Sequence, residues 1–304
     1  MRHHRLALCR EHYLEWFPAT TRRIIETYHM FGPGDRVLVA VSGGKDSLSL
    51  WDVLLQLGYQ AEGLYIDLGI DHQGYSEQSR AKVNNFVAER PGAKLHVVDV
   101  EATYGQTIPE LARRRRRGKP CSVCGLTKRY IMNRVAIEEG FDVLATGHNL
   151  DDEIVVLFQN VLRWQTGYLA RQAPVLPSTH SGLARKVKPF CRFYERETAA
   201  YALVRGIDYI YDECPYAVGA TTIFYKGLFN QLEARSPGAK LSFYLEFLRA
   251  RREGLFSEVR EALELGECER CGQPTTVPGL CAFCRMLEAV GKPTPAAVAI
   301  GESR

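Results

Sequence analysis

Residues 36–58 read RVLVAV, then SGGKDS, then LSLWDVLLQLG, and few folds accommodate that succession. Six residues dominated by valine and leucine suit a strand buried on both faces of a parallel sheet. After Ser42-Gly43-Gly44-Lys45-Asp46-Ser47, apolar residues recur at helical spacing until Gly58 stops them. A strand, a glycine-rich loop and a helix in that order aim backbone N–H groups and a helix dipole at one point, which favours an anion. Gly43 and Gly44 let the backbone approach it closely. Lys45 adds a point charge, Ser42 and Ser47 add hydroxyl donors, and Asp46 is placed to hold Mg²⁺ on phosphates. The loop is not a Walker A motif, which spaces its first glycine four residues from GK[ST].

The alternation continues downstream. Ala61 to Gly69, Lys94 to Val100 and Asp142 to Gly147 read as strands, with helices near Ser76 to Glu89 and over SVCGLTKRYIMNRVAIEEG. This βαβ order predicts an α/β fold with a doubly wound parallel sheet. After Thr166 the pattern loosens to about Leu183, and two further helices are expected near Glu195 to Arg205 and Leu241 to Arg252. Four segments follow: a helical piece (1–30), the main α/β domain (31–260), a cysteine-rich piece (261–290) and a tail (291–304). A chain of 304 residues, 46% hydrophobic, can bury one large core with small satellites. No apolar run approaches bilayer length and no signal-peptide segment opens the chain, so a soluble cytoplasmic protein without membrane contact is expected.

Nine cysteines give an odd number, and in a cytosolic chain CxxC pairs read as metal ligands or redox pairs before structural disulfides. Cys268-x-x-Cys271 and Cys281-x-x-Cys284 have the four-thiolate content and tight knuckles of a zinc ribbon, a closed site that holds shape rather than doing chemistry. Cys121 and Cys124 admit three readings by spacing alone: unligated thiols, a zinc half-site or a redox dithiol. Helix geometry puts Lys128 on the face of Cys124 with Arg129 adjacent, and a cation there lowers a thiolate pKa and can meet a phosphate. The run Arg113 to Arg117, extended by Lys119, is either a solvated loop or a phosphate-binding patch. Its junction with Cys121 favours RNA. Cys191 has no partner by spacing and reads as a packed small hydrophobe.

SGGKDS at the end of a hydrophobic strand resembles the PP-loop of the ATP-pyrophosphatase superfamily, whose members split ATP between the α and β phosphates to adenylate a carbonyl oxygen. The superfamily's second element, GHNxDD, is matched by Gly147-His148-Asn149-Leu150-Asp151-Asp152. The resemblance implies that Gly147 and Asp152 line the nucleotide site, with Ala40 and Tyr65 near the adenosine. CSVCGLTKRY is similar to the tRNA 2-thiolation branch (the TtuA/TtcA group). There a CxxC and a distant third cysteine, matched by Cys214 in ECPY, hold a [4Fe–4S] cluster with one open iron, and Asp46 and Lys128 match the catalytic residues. ALCREHYLEWF, GLTKRYIMNRVAIEEGF and CERCGQPTT look closest to TtuA-like tRNA 2-thiouridine synthetases.

That family implies ATP-dependent 2-thiolation of a uridine or 5-methyluridine at T-loop position 54 of tRNA. It implies Mg²⁺ and Zn²⁺, sulfur from the thiocarboxylate of a ubiquitin-like carrier, and a homodimer. One departure stands out. The family's N-terminal zinc finger runs CxxC then CxxH, and only Cys9 and His12 match its second half. His3 and His4 are the local substitutes, unless the chain starts earlier. Three alternatives stay open: a wobble-uridine or cytidine thiolase, or a PP-loop tRNA-modifying ligase that uses no sulfur. A zinc-ribbon RNA-binding module with a relic loop is opposed by the intact SGGKDS and GHNLDD.

Overall fold

Strand pairing in the computed structural model, which describes residues 4, 6–114, 120–259, 265–292, 294 and 298–302, builds a seven-stranded sheet. Its members are β1 (Arg36–Val41), β2 (Gln60–Asp67), β3 (Leu95–Asp99), β4 (Val143–Thr146), β5 (Val175–Leu176), β6 (Arg185–Val187) and β9 (Gly301–Glu302). A separate hairpin holds β7 (Gly266–Glu267) and β8 (Pro274–Thr275). The order is β5-β6-β4-β1-β2-β3-β9, parallel across its five central strands and antiparallel at both edges. The expected doubly wound α/β fold is therefore present. Strand order reverses between β1 and β4, the place where open α/β sheets form their ligand crevice.

The helices are α1 (Arg10–Thr27), α2 (Lys45–Gln56), α3 (Tyr75–Ala88), α4 (Val100–Tyr104), α5 (Ile108–Arg114) and α6 (Pro120–Glu138). They continue with α7 (Leu150–Leu162), α8 (Thr166–Arg171), α9 (Glu195–Arg205), α10 (Thr221–Arg235), α11 (Ala239–Arg252) and α12 (Ala282–Glu288). The period-two alternation of β1 sends Val37, Val39 and Val41 into one core and Leu38 into the other. The first core collects Trp51 of α2 and the aromatic stack of Phe17 on Phe193 and Tyr201, at 4.1 and 4.4 Å between centroids. Trp51 lies so close to β2 that a Cβ at Gly63 would come within 2.6 Å of its ring, so glycine alone permits that approach. Beneath it the buried Asp52 accepts bonds from Arg90 Nε (2.8 Å), Arg205 Nε (3.1 Å) and Tyr201 Oη (2.7 Å). A buried carboxylate is tolerated when it is paired in this way, and here the pairing ties α2 to α9.

The second core lies on the other face and includes residues of α12 and three cysteines of the C-terminal group, Cys268, Cys281 and Cys284. Phe283 stacks on Tyr130 of α6 with centroids 3.9 Å apart, and Tyr104 meets it edge-on at 5.1 Å.

Among the elements that the sequence reading does not place are α10 and β9. Helix α10 falls between the helices expected near Glu195 to Arg205 and Leu241 to Arg252, where the sequence pattern marks none. Its apolar residues Ile223, Phe224, Leu228 and Leu232 are exposed while Phe229 is buried, so no single apolar face marks its buried side. The tail contributes β9, a two-residue strand paired with β3. Arg113 and Arg114 close α5, whereas Arg115, Arg116, Arg117 and Lys119 lie outside the described residues. No helix among the described residues is long and apolar enough to cross a membrane.

Candidate active site at the sheet switch point

The loop after β1 is held from behind. Gly43 adopts φ +76°, its carbonyl accepts the Ile210 N–H at 2.9 Å, and a Cβ there would lie 2.6 Å from the Ser79 carbonyl oxygen. Ser47 Oγ donates to Gly44 O (3.0 Å) and accepts the Ser42 N–H (3.1 Å), which fixes the curl of the loop. Gly43→Ala is therefore expected to weaken binding of an ATP analogue at least about tenfold. A left-handed non-glycine residue costs roughly 1–2 kcal/mol, and the clashing atom is backbone. Calorimetric titration against the unaltered protein checks this, and equal affinities would remove the geometric requirement.

The loop after β4 meets the first loop. A Cβ on Gly147 would approach the Asp46 backbone to 2.9 Å. Asn149 caps α7 by a reciprocal box with Asp152, both bonds at 3.2 Å. Asp46 Oδ1 accepts from Asn149 Nδ2 at 3.3 Å and from the Thr198 hydroxyl. Burial raises the Asp46 carboxyl, and the Lys45 ammonium pulls it back. His148 is exposed, with its Nδ1 2.8 Å from the Thr146 hydroxyl oxygen.

A cleft of about 500 Å³ opens over these loops. It gathers Ala40, Ser42, Gly44, Asp46 and Ser47 with Tyr65, Gly147 and Asp152, and its apolar wall is formed by Leu64, Ile66, Leu68 and Ile70. Tyr65 is anchored through its hydroxyl to Ser79 Oγ (2.6 Å) and Ser76 O (3.0 Å). Lys128, Arg129 and Cys124 of α6 and Cys214 line the same cleft. Three of the sequence-predicted residues stand outside its lining. Gly43 turns to Ser79, Lys45 reaches Asp46 (2.8 Å) and Glu195 (3.0 Å), and the exposed Cys121 thiol donates to Tyr216 O at 3.3 Å.

Residues 18–218 match the family described as PP-loop domain. A tRNA-5-methyluridine(54) 2-sulfurtransferase of Thermus thermophilus is 57% identical over 95% of this chain and 88% of its own. The chain belongs to the PP-loop tRNA 2-sulfurtransferases. A Thermotoga maritima sulfurtransferase carrying the same description is 42% identical over 96% of this chain and 93% of its own. Among solved structures, the U34-tRNA thiolase NcsA of Methanococcus maripaludis, described with its [4Fe–4S] cluster, superimposes with TM-score 0.75 at 25% identity. That alignment covers 95% of this chain and 91% of the thiolase.

The sulfurtransferase chain carries two distinct cysteine groups. Burial pushes the Cys124 thiol up; Lys128 opposes this, while Cys214 and Cys121 are close enough to add to it. The three sulfurs do not converge as ligands of one ion do. Among the described residues only Cys268, Cys271, Cys281 and Cys284 converge, with all four sulfurs within 4.8 Å of one another. Cys281 N–H donates to Cys268 Sγ (3.2 Å) and Cys284 N–H to Cys281 Sγ (3.4 Å). The neighbouring Cys281 thiol, 3.8 Å away, holds the Cys271 thiol below its ordinary range.

At the N-terminus Cys9 Sγ stands 3.2 Å from His12 Nδ1, but no third ligand joins them among the described residues. His4 is turned to Glu197 (3.1 Å) and against Trp16, and His3 lies outside the described residues.

Several site residues had no local signal. Thr198 and Glu195 come from α9, Lys226 from the unread α10, and Tyr75 and Met132 are ordinary helix residues until the cleft forms. His148 and Asn149 were legible as members of GHNLDD.

Proposed function

We propose that this sulfurtransferase replaces the C2 oxygen of 5-methyluridine at tRNA position 54 with sulfur, using ATP to activate that oxygen. The supporting observation is one cleft that joins a phosphate loop (Ser42, Gly44, Ser47) to a cysteine–lysine face (Cys124, Lys128, Cys214). The substrate of the relatives at 57% and 42% identity, 5-methyluridine 54 of tRNA, suggests the base.

The loop N–H groups and Lys45 hold the β and γ phosphates, as a helix N-terminus favours. Asp46 and Asp152, both at the cleft, hold Mg²⁺. The C2 oxygen attacks the α-phosphorus, pyrophosphate departs, and the adenylated oxygen becomes a good leaving group as AMP. Lys128 offsets the negative charge that develops there. Ala40 and the anchored Tyr65 face the adenosine.

Cys121, Cys124 and Cys214 are the residues that would hold a [4Fe–4S] cluster: Cys124 and Cys214 line the cleft, and Cys121 lies one helical turn from Cys124 on α6. When bound, such a cluster would supply iron chemistry for sulfur delivery, and Cys124 and Cys214 would place it in the same cleft as the phosphate loop. The four converged sulfurs fit Zn²⁺. Sulfur enters from the thiocarboxylate of a ubiquitin-like carrier, and the enzyme works as a homodimer on tRNA.

The test is direct. Anaerobically reconstituted enzyme with tRNA, ATP and sulfide is expected to yield 2-thio-5-methyluridine by nucleoside mass spectrometry, with one AMP and one pyrophosphate per sulfur inserted. Formation of ADP, or sulfur on a wobble uridine or a cytidine instead, overturns the assignment.

A further inference from the structure

One carboxylate stands between two lysines just outside the cleft lining, each lysine paired with a carboxylate that lines the cleft. Glu195 opens α9, and its backbone N–H is pinned to Asp151 Oδ2 at 2.8 Å. Its Oε1 accepts from Lys45 Nζ and its Oε2 from Lys226 Nζ, each at 3.0 Å. Each lysine also holds a cleft carboxylate at 2.8 Å: Lys45 pairs with Asp46, and Lys226 with Asp152. The result is an arc, Asp46–Lys45–Glu195–Lys226–Asp152, with three carboxylates and two ammoniums. Lys226 belongs to neither SGGKDS nor GHNLDD.

Two features set the arc apart from a structural ion-pair network. The side chains of Lys45, Lys226 and Glu195 keep 22%, 25% and 37% of their surface open to solvent, so they are reachable, and partly exposed pairs add little stability. The arc is also net negative, and it borders loops built for a polyanion. Burial alone would lower the Lys226 ammonium, but Asp152 and Glu195 raise it above the ordinary lysine range, so it stays charged. Glu195 presents its two oxygens to two ammoniums, as the adjacent phosphates of a diphosphate do.

We propose that Lys226 is a second phosphate-binding lysine, which with Lys45 exchanges the Glu195 carboxylate for the pyrophosphate half of ATP. The assignment rests on the ATP reading above. Lys226 thereby separates ATP and pyrophosphate, which engage both lysines, from AMP, which lacks that half. Glu195 competes with the phosphates for the same two cations. The two residues should therefore act with opposite signs, which loss of a structural contact does not produce.

Titration of the whole protein with an α,β-methylene ATP analogue, pyrophosphate and AMP in Mg²⁺ buffer tests this. Lys226→Met is expected to weaken the analogue and pyrophosphate about tenfold, the loss of one charged hydrogen bond. AMP affinity should stay within about twofold, and Lys226→Arg should restore most of the loss. Glu195→Gln is expected to tighten pyrophosphate. Equal weakening of AMP and pyrophosphate by Lys226→Met, or weakened pyrophosphate binding in Glu195→Gln, overturns the proposal. If the unaltered protein binds no analogue, the ATP reading falls as well. If it binds the analogue and Lys226→Met binds it equally, only the lysine assignment falls.

Discussion

Replacing Cys214 with alanine is expected to reduce tRNA thiolation by on the order of a hundredfold or more while leaving ATP-analogue affinity unchanged. The two functions share a cleft but draw on different elements. The phosphate loop is shaped by the Ser42–Ser47 and Ser47–Gly44 hydrogen bonds and by the Ser79 and Ile210 backbone, to which the Cys214 side chain does not contribute. Cys214 precedes a short 3₁₀ turn (Pro215–Ala217) and is the one cysteine of its group that does not come from α6. Cys121 and Cys124 alone are a dithiol on one helix turn, which can hold part of a cluster but cannot close round its mouth. Iron and acid-labile sulfide after anaerobic reconstitution should therefore fall with activity, while metal at the C-terminal group persists. Full thiolation with unchanged iron content in Cys214→Ala would return the three cysteines to incidental thiols.

The second large effect is expected at the other cysteine group. Cys284→Ala, or a strong chelator, should lose one zinc per chain and melt the C-terminal piece without removing iron. Four converged sulfurs left without a cation have no comparable set of hydrogen bonds to offset their burial, and structural zinc sites of this kind contribute on the order of 10 kcal/mol to their local fold. Phe283, one residue before Cys284, is the contact through which the damage spreads. Freeing it from Tyr130 and Tyr104 forfeits packing worth about 3–5 kcal/mol. Tyr130 lies on α6 within two turns of Cys124 and Lys128, so thiolation should drop as a consequence of lost support. Hydrogen exchange over residues 265–292 and metal analysis read the result. Unchanged protection and zinc content in Cys284→Ala would sink the structural-zinc assignment.

The legible parts of this protein share a short range. The curl of Ser42 to Ser47 depends on a positive φ at Gly43 and on bonds within five residues, and the α7 cap depends on Asn149 and Asp152, three apart. The CxxC knuckles at Cys268 and Cys281 are local in the same sense. Each therefore left a spacing that could be read before any fold was known. The gathering of Asp46, Lys128, Cys124 and Cys214 follows from resemblance to a family rather than from any local rule, because those residues meet only in the cleft over the central strands.

The sequence by itself determined the strand–loop–helix units, the parallel order they favour and the ligand types at each loop, since hydrophobic period, glycine conformation and capping act between near neighbours. Only the tertiary structure decided which distant charges face them. It set Glu195 against Lys45 across 150 positions, brought in Lys226 from a helix whose apolar residues show no single face, and recruited the tail as an edge strand on β3. Ion pairs and edge pairing require two surfaces already in place, and no periodicity in either segment encodes its partner.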